Sequence, residues 1–168
     1  IKIEVIFEKH LQSRVLKALL TNHIYEEVAY EIYDLQNSHQ QIGLGMIGEL
    51  PSEMSESDFL QIVKEKMQCG GIRHSQFLNK PIKKVAVLGG SGSFAIKNAI
   101  NSGADAFLTA DLKYHQFYEA ENNLLLADIG HFESERFTKN YIVDYLTKKI
   151  SNFAIILSEE NTNPVKYF

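Results

Sequence analysis

The chain has one cysteine, Cys69, so no internal disulfide can form. A lone thiol fits a reducing, cytoplasmic setting, and a small semi-buried apolar side chain is a simpler role for it than a nucleophile. Basic charge is also short: 17 Lys and Arg face 21 Asp and Glu, a net charge of −4. No Lys/Arg run forms a patch, which argues against nucleic acid as a partner. Long apolar runs are missing. None approaches the roughly 20 residues needed to cross a bilayer, so no membrane association is expected. Neither a signal peptide nor the Gly-Lys-Ser/Thr of a Walker loop is visible. There is no initiator methionine, and Ile1 already lies in a strand pattern, as expected of a piece of a longer chain.

What is present is the composition of a globular protein. Of the 168 residues, 45% are hydrophobic and 23% charged, which suits one or two domains. Ile1, Ile3, Val5 and Phe7 alternate with polar positions and predict a strand. Residues 10–22 place Leu11, Val15, Leu16 and Leu19 at helical spacing. Residues 25–35 read as a strand, Asn37-Ser38-His39 as a turn, and 42–49 as a strand loosened by Gly43, Gly45 and Gly48. Ser55 is a candidate cap for a helix over 56–67 that buries Phe59, Leu60, Val63 and Met67. A short strand follows at 72–77. This order predicts a ferredoxin-like split βαβ domain over residues 1–80, with both helices on one face of an antiparallel sheet. His10, His23, His39 and His74 pair with no carboxylate at a ligand spacing and are expected to be structural or solvated. Tyr25, Tyr30 and Tyr33 read as strand residues rather than as a stacking platform.

Asn79-Lys80-Pro81 marks a boundary, and residues 81–168 follow another grammar. Strands at 84–88, 106–110, 124–129 and 153–157 alternate with helices at 94–101, 114–121 and 132–150. Such alternation predicts a parallel, helix-covered sheet. The fold class is therefore α/β, with an α+β first part. In an open parallel sheet, ligands bind beyond the carboxyl ends of the strands. Three successive strands here end in polar residues. Gly89-Gly-Ser-Gly-Ser93 is either a tight turn of small residues or a loop whose amides receive an anion. Gly90, Gly92 and Asp111 also fit a loose dinucleotide pattern, with an interval short for that use. Asp111-Leu-Lys-Tyr-His115 brings Lys113 and His115 to the rim. Leu124 to Ala127 reads as a buried strand leading through Gly130 into a helix that carries His131 and Glu135. Four residues apart, these two share a helix face. They either converge on a divalent metal or are a solvated His and a surface Glu. Asp128 either orients the imidazole or caps the helix.

Val85-Ala-Val-Leu-Gly-Gly-Ser-Gly-Ser93, Gly103 to His115, Ala127-Asp-Ile-Gly-His-Phe-Glu-Ser-Glu135 and Asn161-Thr-Asn-Pro164 occur in that order. Together they resemble the carboxyl half of the Nif-three-like family, whose members are known as GTP cyclohydrolase 1 type 2 homologs. The first part, through His23 to Tyr33, resembles the PII- and CutA-like domain inserted in longer members. The resemblance implies a metal-dependent hydrolase with two divalent ions per full-length subunit (zinc, iron or manganese) between two α/β halves, in a toroidal homohexamer. It matches His131 and Glu135 to two metal ligands. The remaining ligands would be a His-His pair and an Asp in an amino-terminal half, and no His-His pair occurs here. Metal is accordingly expected to be weakly bound or absent in this fragment, which alone would be inactive. Lys113 and His115 become substrate contacts or proton donors toward a small, nucleotide-like ligand. The alternative is a regulatory or protein-interaction module without catalysis.

Overall fold

A computed structural model describes residues 1–37, 42–120 and 122–166. His39 and most of the turn expected at 37–39 lie outside the described residues. The chain divides into two compact units, Ile1–Gln40 and Gln41–Phe168.

Among its described residues the first unit contains one α-helix, α1 (Gln12–Asn22), entered through a 3-10 turn at Lys9–Leu11. Among its described residues no strand is paired. The strands expected at 1–7 and 25–35 therefore lack ladders. Ile3, Val5, Ile24, Tyr25 and Tyr33 stay exposed. A strand's amides and carbonyls need a neighbour, and isolated pairs are marginal in water.

The second unit is built on a five-stranded sheet of order β1-β3-β4-β5-β2. Its strands are β1 (Met46–Met54), β2 (Arg73–His74), β3 (Ile82–Ser91), β4 (Ala106–Ala110) and β5 (Leu125–Asp128). The inner strands β3, β4 and β5 are parallel, while the edges β1 and β2 are antiparallel to their neighbours. β1 pairs Met46 with Val87 and Glu49 with Lys84, then slips before Met54 meets Ile82. Pro51, which has no amide to donate, falls in the slipped stretch of this edge strand.

Alternation along the parallel strands divides the core into two layers. Val85, Ala106, Leu125 and Ala127 join Phe59, Leu60 and Val63 of α2 (Glu56–Met67). Ala86, Phe107, Leu124 and Leu126 join Ile96 and Ala99 of α3 (Ile96–Asn101). Leu124, Leu125, Leu126 and Ala127 are fully buried, as a strand covered on both faces requires. Ser55 caps α2 by accepting from the Asp58 amide at 3.1 Å.

Residues 1–80 thus do not form one ferredoxin-like body. β1, α2 and β2 belong to the sheet of β3–β5, and the division between units falls at Gln40–Gln41 instead of residue 80. The local pattern of residues 46–74 was compatible with either sheet. Pairing of β1 with β3 and burial of the α2 stripe on Ile82 and Val85 decide it. The helix expected over 132–150 is two helices, α4 (His131–Glu135) and α5 (Thr138–Lys149). α4 is held down by the buried Glu133, whereas Tyr141, Ile142 and Tyr145 of α5 are exposed. No ladder forms over 153–157.

Candidate functional site

Because β3, β4 and β5 are parallel, their carboxyl ends open on one rim. β3 delivers Gly90 and Ser91. β4 delivers Asp111, the next residue after Ala110, in a left-handed conformation at φ 57°. β5 leads through Gly130, at φ 90°, into α4 with His131 and Glu135. A sharp reversal at φ 90° suits glycine, which has no Cβ to clash.

Asp111 Oδ2 lies 2.6 Å from His131 Nδ1 and also accepts from the Ser91 hydroxyl. His131 Nε2 lies 3.3 Å from Glu135 Oε2. One imidazole is therefore set between two carboxylates, one from β4 and one from its own helix. Both ring partners are about half exposed. The hydrogen bond that His131 donates to Asp111 raises the His131 pKa above its ordinary value, with the Asp111 and Glu135 charges adding to it. The Ser91 hydroxyl, and next the His131 bond, hold the Asp111 carboxyl below its ordinary value.

The glycine-rich turn makes room for this cluster. A Cβ on Gly90 would lie 2.6 Å from Glu135 Oε1 and 3.3 Å from His131 Cε1, on a backbone with φ 67°. A Cβ on Gly92 would lie 2.2 Å from the buried Thr109 Oγ1. The Gly90 amide donates to Ser134 Oγ at 2.8 Å, and Ser134 Oγ donates to the His131 carbonyl at 2.8 Å. The Thr109 hydroxyl donates to the Gly90 carbonyl at 3.0 Å. The Gly90 amide is thus engaged by α4. Asp111, the ribose acid of the dinucleotide pattern, has its Oδ2 engaged by Ser91 and His131.

Of the residues predicted from sequence, His131 and Glu135 converge. Lys113 and His115 are exposed on the 3-10 helix Tyr114–Ala120 and the turn before it. The His115 ring packs edge-on to Tyr114 and the Lys113 amide donates to Gln116, so their ties are within their own turn. Asp128 does not touch the imidazole. Its buried carboxylate accepts from the Leu112 amide at 2.9 Å, the Gly130 amide at 3.0 Å and the Arg73 guanidinium. It ties together the turns that present Asp111 and His131. Of the two roles the sequence leaves open for Asp128, orienting the imidazole is not the one it fills, and its bond from the Gly130 amide lies at the start of α4. Asp111 is the true partner, and its place right after a buried strand was the available signal. Ser91 and Ser134 gave no signal beyond small residues in a turn.

Among the described residues, no three His, Cys, Asp or Glu side chains form a group able to hold a metal. The donor chemistry nonetheless suits a shared cation. With the Nδ1 proton donated to Asp111, the Nε2 lone pair of neutral His131 faces a carboxylate oxygen at 3.3 Å. Two acceptors so placed need a proton or a cation between them.

The family model for Duf34/NIF3 (NGG1p interacting factor 3) matches residues 4–164. A Bacillus subtilis protein named GTP cyclohydrolase 1 type 2 homolog is 35% identical over 99% of this chain and 46% of its own length. A Listeria innocua protein of the same name is 34% identical with the same coverage. The crystal structure of a Bacillus cereus protein related to NIF3 matches 96% of this chain and 46% of that one, with a TM-score of 0.79 and 36% identity. The chain thus spans about half the length of the curated relatives it matches. With a match that takes in the whole sheet and the His131–Glu135 rim, this chain belongs to the Duf34/NIF3 family.

Proposed function

We propose that this chain supplies half of a two-metal hydrolase centre, with His131 and Glu135 as ligands. The observation that carries the reading is the 3.3 Å separation of His131 Nε2 and Glu135 Oε2 beside an Nδ1 already engaged by Asp111. Two donors about 2.0–2.2 Å from a tetrahedral ion are roughly 3.4 Å apart. A closed zinc site needs four ligands, so the others come from outside these 168 residues and binding by this chain alone is weak. Zinc, iron and manganese all accept this donor pair.

Asp111 fixes the tautomer that leaves Nε2 as the donor and makes the imidazole a stronger base. Ser91 holds Asp111 in place. Lys113 and His115, on the turn that follows Asp111, are available as substrate contacts or proton donors. When bound, two divalent ions activate water near neutral pH and stabilise the leaving oxygen. The name shared by the relatives supports a small nucleotide-like substrate. Assembly as a homohexamer and a cytoplasmic location belong to the same reading.

Metal analysis of the full-length protein tests it. About two equivalents are expected, falling by at least one in His131→Ala. Full-length protein without stoichiometric metal refutes the reading. A second reading, a regulatory or interaction module, is favoured by the apolar residues exposed in the first unit, Ile3, Val5, Ile24 and Tyr25 among them. Deleting residues 1–40 separates the two: stoichiometric metal with lost assembly assigns that unit to interaction.

A further inference from the structure

We propose that the cavity outside β2 binds a planar heteroaromatic carrying an anionic group, of the size of a nucleoside monophosphate. The cavity measures about 540 Å³ and lies between β2 with the residues after it and the 3-10 helix 114–120. That volume falls in the range of small-molecule sites. Its lining contains neither His131 nor Glu135, so the site stands independently of the metal reading.

The chemistry of the lining selects the ligand. Among its described residues the lining carries no acidic side chain, and its permanent cation is Arg73, which is paired from behind with the buried Asp128. Arg73 is already ordered. It donates to the Leu112 carbonyl at 2.9 Å and to Asp128, and lies 5.6 Å from the Phe117 ring centroid. Both of those hydrogen bonds leave from one terminal nitrogen, Nη2. A guanidinium has five N–H donors, and the Arg73 side chain is 61% exposed. Among the described residues the rest of the fork has no hydrogen-bond partner, which leaves it for a phosphate or carboxylate with little rotamer entropy to lose. Beside it stand Tyr114 and Tyr118, packed edge to face at 5.6 Å with their hydroxyls 2.9 Å apart. The two residues are 69% and 66% exposed, which leaves ring surface open for stacking. The Asn122 amide completes the lining with groups able to read a ring edge. A purely apolar ligand would leave Arg73 unused, and bare phosphate would leave the phenols unused. β2 is two residues long, too short to template an added peptide strand.

Calorimetric titration of the full-length protein with adenosine 5′-monophosphate tests the site. One saturable event is expected, with a Kd on the order of 1 mM or tighter. Adenosine and ribose 5-phosphate should each bind at least about tenfold more weakly. Arg73→Lys keeps a cation beside Asp128 but loses the planar fork, and should weaken binding about tenfold. The double variant Tyr114→Ala/Tyr118→Ala, at exposed positions, should do the same and decides alone if Arg73→Lys fails to fold. His131→Ala should bind as the parent does. The proposal is overturned by absence of saturation, by ribose 5-phosphate binding as well as the nucleotide, by full binding in the tyrosine variant, or by loss of binding in His131→Ala. The last result would place the nucleotide at the rim.

Discussion

Nδ1 of His131 lies 2.6 Å from Oδ2 of Asp111, a residue 20 positions earlier that follows the neighbouring parallel strand. That contact fixes the ring and fills one nitrogen. It also sets the pH behaviour of the rim. The His131 pKa lies above 6.5, so its contribution is complete below that pH and is lost as pH rises through the folded-state value. The Asp111 pKa lies below 3.8, so its contribution is present above that pH and is lost as pH falls through the folded-state value. The charged pair occupies the interval between. NMR titration of His131 should give a midpoint above 6.5, and Asp111→Asn should bring it back toward 6.5. An unchanged midpoint in the variant would remove Asp111 as the cause.

Asp111→Asn should also weaken metal binding by the full-length protein about 10–100-fold, the usual cost of losing an orienting carboxylate. Competition with a chromophoric chelator measures it. Parent-like affinity would show that the imidazole needs no such partner.

Gly90→Ala should destabilise the fold by about 1–3 kcal/mol, because φ 67° strains any residue with a Cβ. The new methyl, 2.6 Å from Glu135 Oε1, should also push that carboxylate away from His131. Gly92→Ala tests the other cause, crowding on an ordinary backbone. Its methyl meets Thr109 Oγ1 at 2.2 Å, and overpacking of this kind costs about 1–3 kcal/mol. Urea unfolding reads both. Partial recovery in Gly92→Ala/Thr109→Ala is expected only for the second.

Asp128→Ala should cost about 1–3 kcal/mol, since it leaves the buried Leu112 amide without its acceptor and frees Gly130 and Arg73. The same urea series checks this, and an effect within error would mean the turns are held by packing alone.

Burial, with Glu133 second, pushes the Cys69 thiol up to about 11. Alkylation of native protein at pH 8 should therefore be far slower than in urea. Equal rates would show that the thiol is reached without unfolding.

Several elements were legible because their determinants are local. The apolar run at 124–127, the Ser55 cap and the α2 stripe each depend on residues within a turn or two. His131 and Glu135 were legible for the same reason, since helix spacing alone puts them on one side. The strand partners were not. Residues 46–54 carry nothing that names β3 as their neighbour, so the boundary was set at 80 although the units divide at Gln40–Gln41. The strands expected in residues 1–37 had the right alternation but found no ladder among the described residues.

The sequence alone determined the alternation of strands and helices from β3 to β5, the presence of a His-x-x-x-Glu pair after a buried strand, and the small residues at 89–93. Only the tertiary structure decided what those small residues are for and which carboxylate holds the histidine. Glycine at 90 is needed because Glu135 and His131, more than 40 residues away in sequence, come within about 3 Å of where its side chain would be. Asp111 is the imidazole's partner because parallel strands bring their ends to one rim, whereas Asp128, left open between orienting and capping by the sequence, goes into the turn's own hydrogen bonds. Spacing along a chain fixes which side chains share a local face, and the sheet fixes which faces meet.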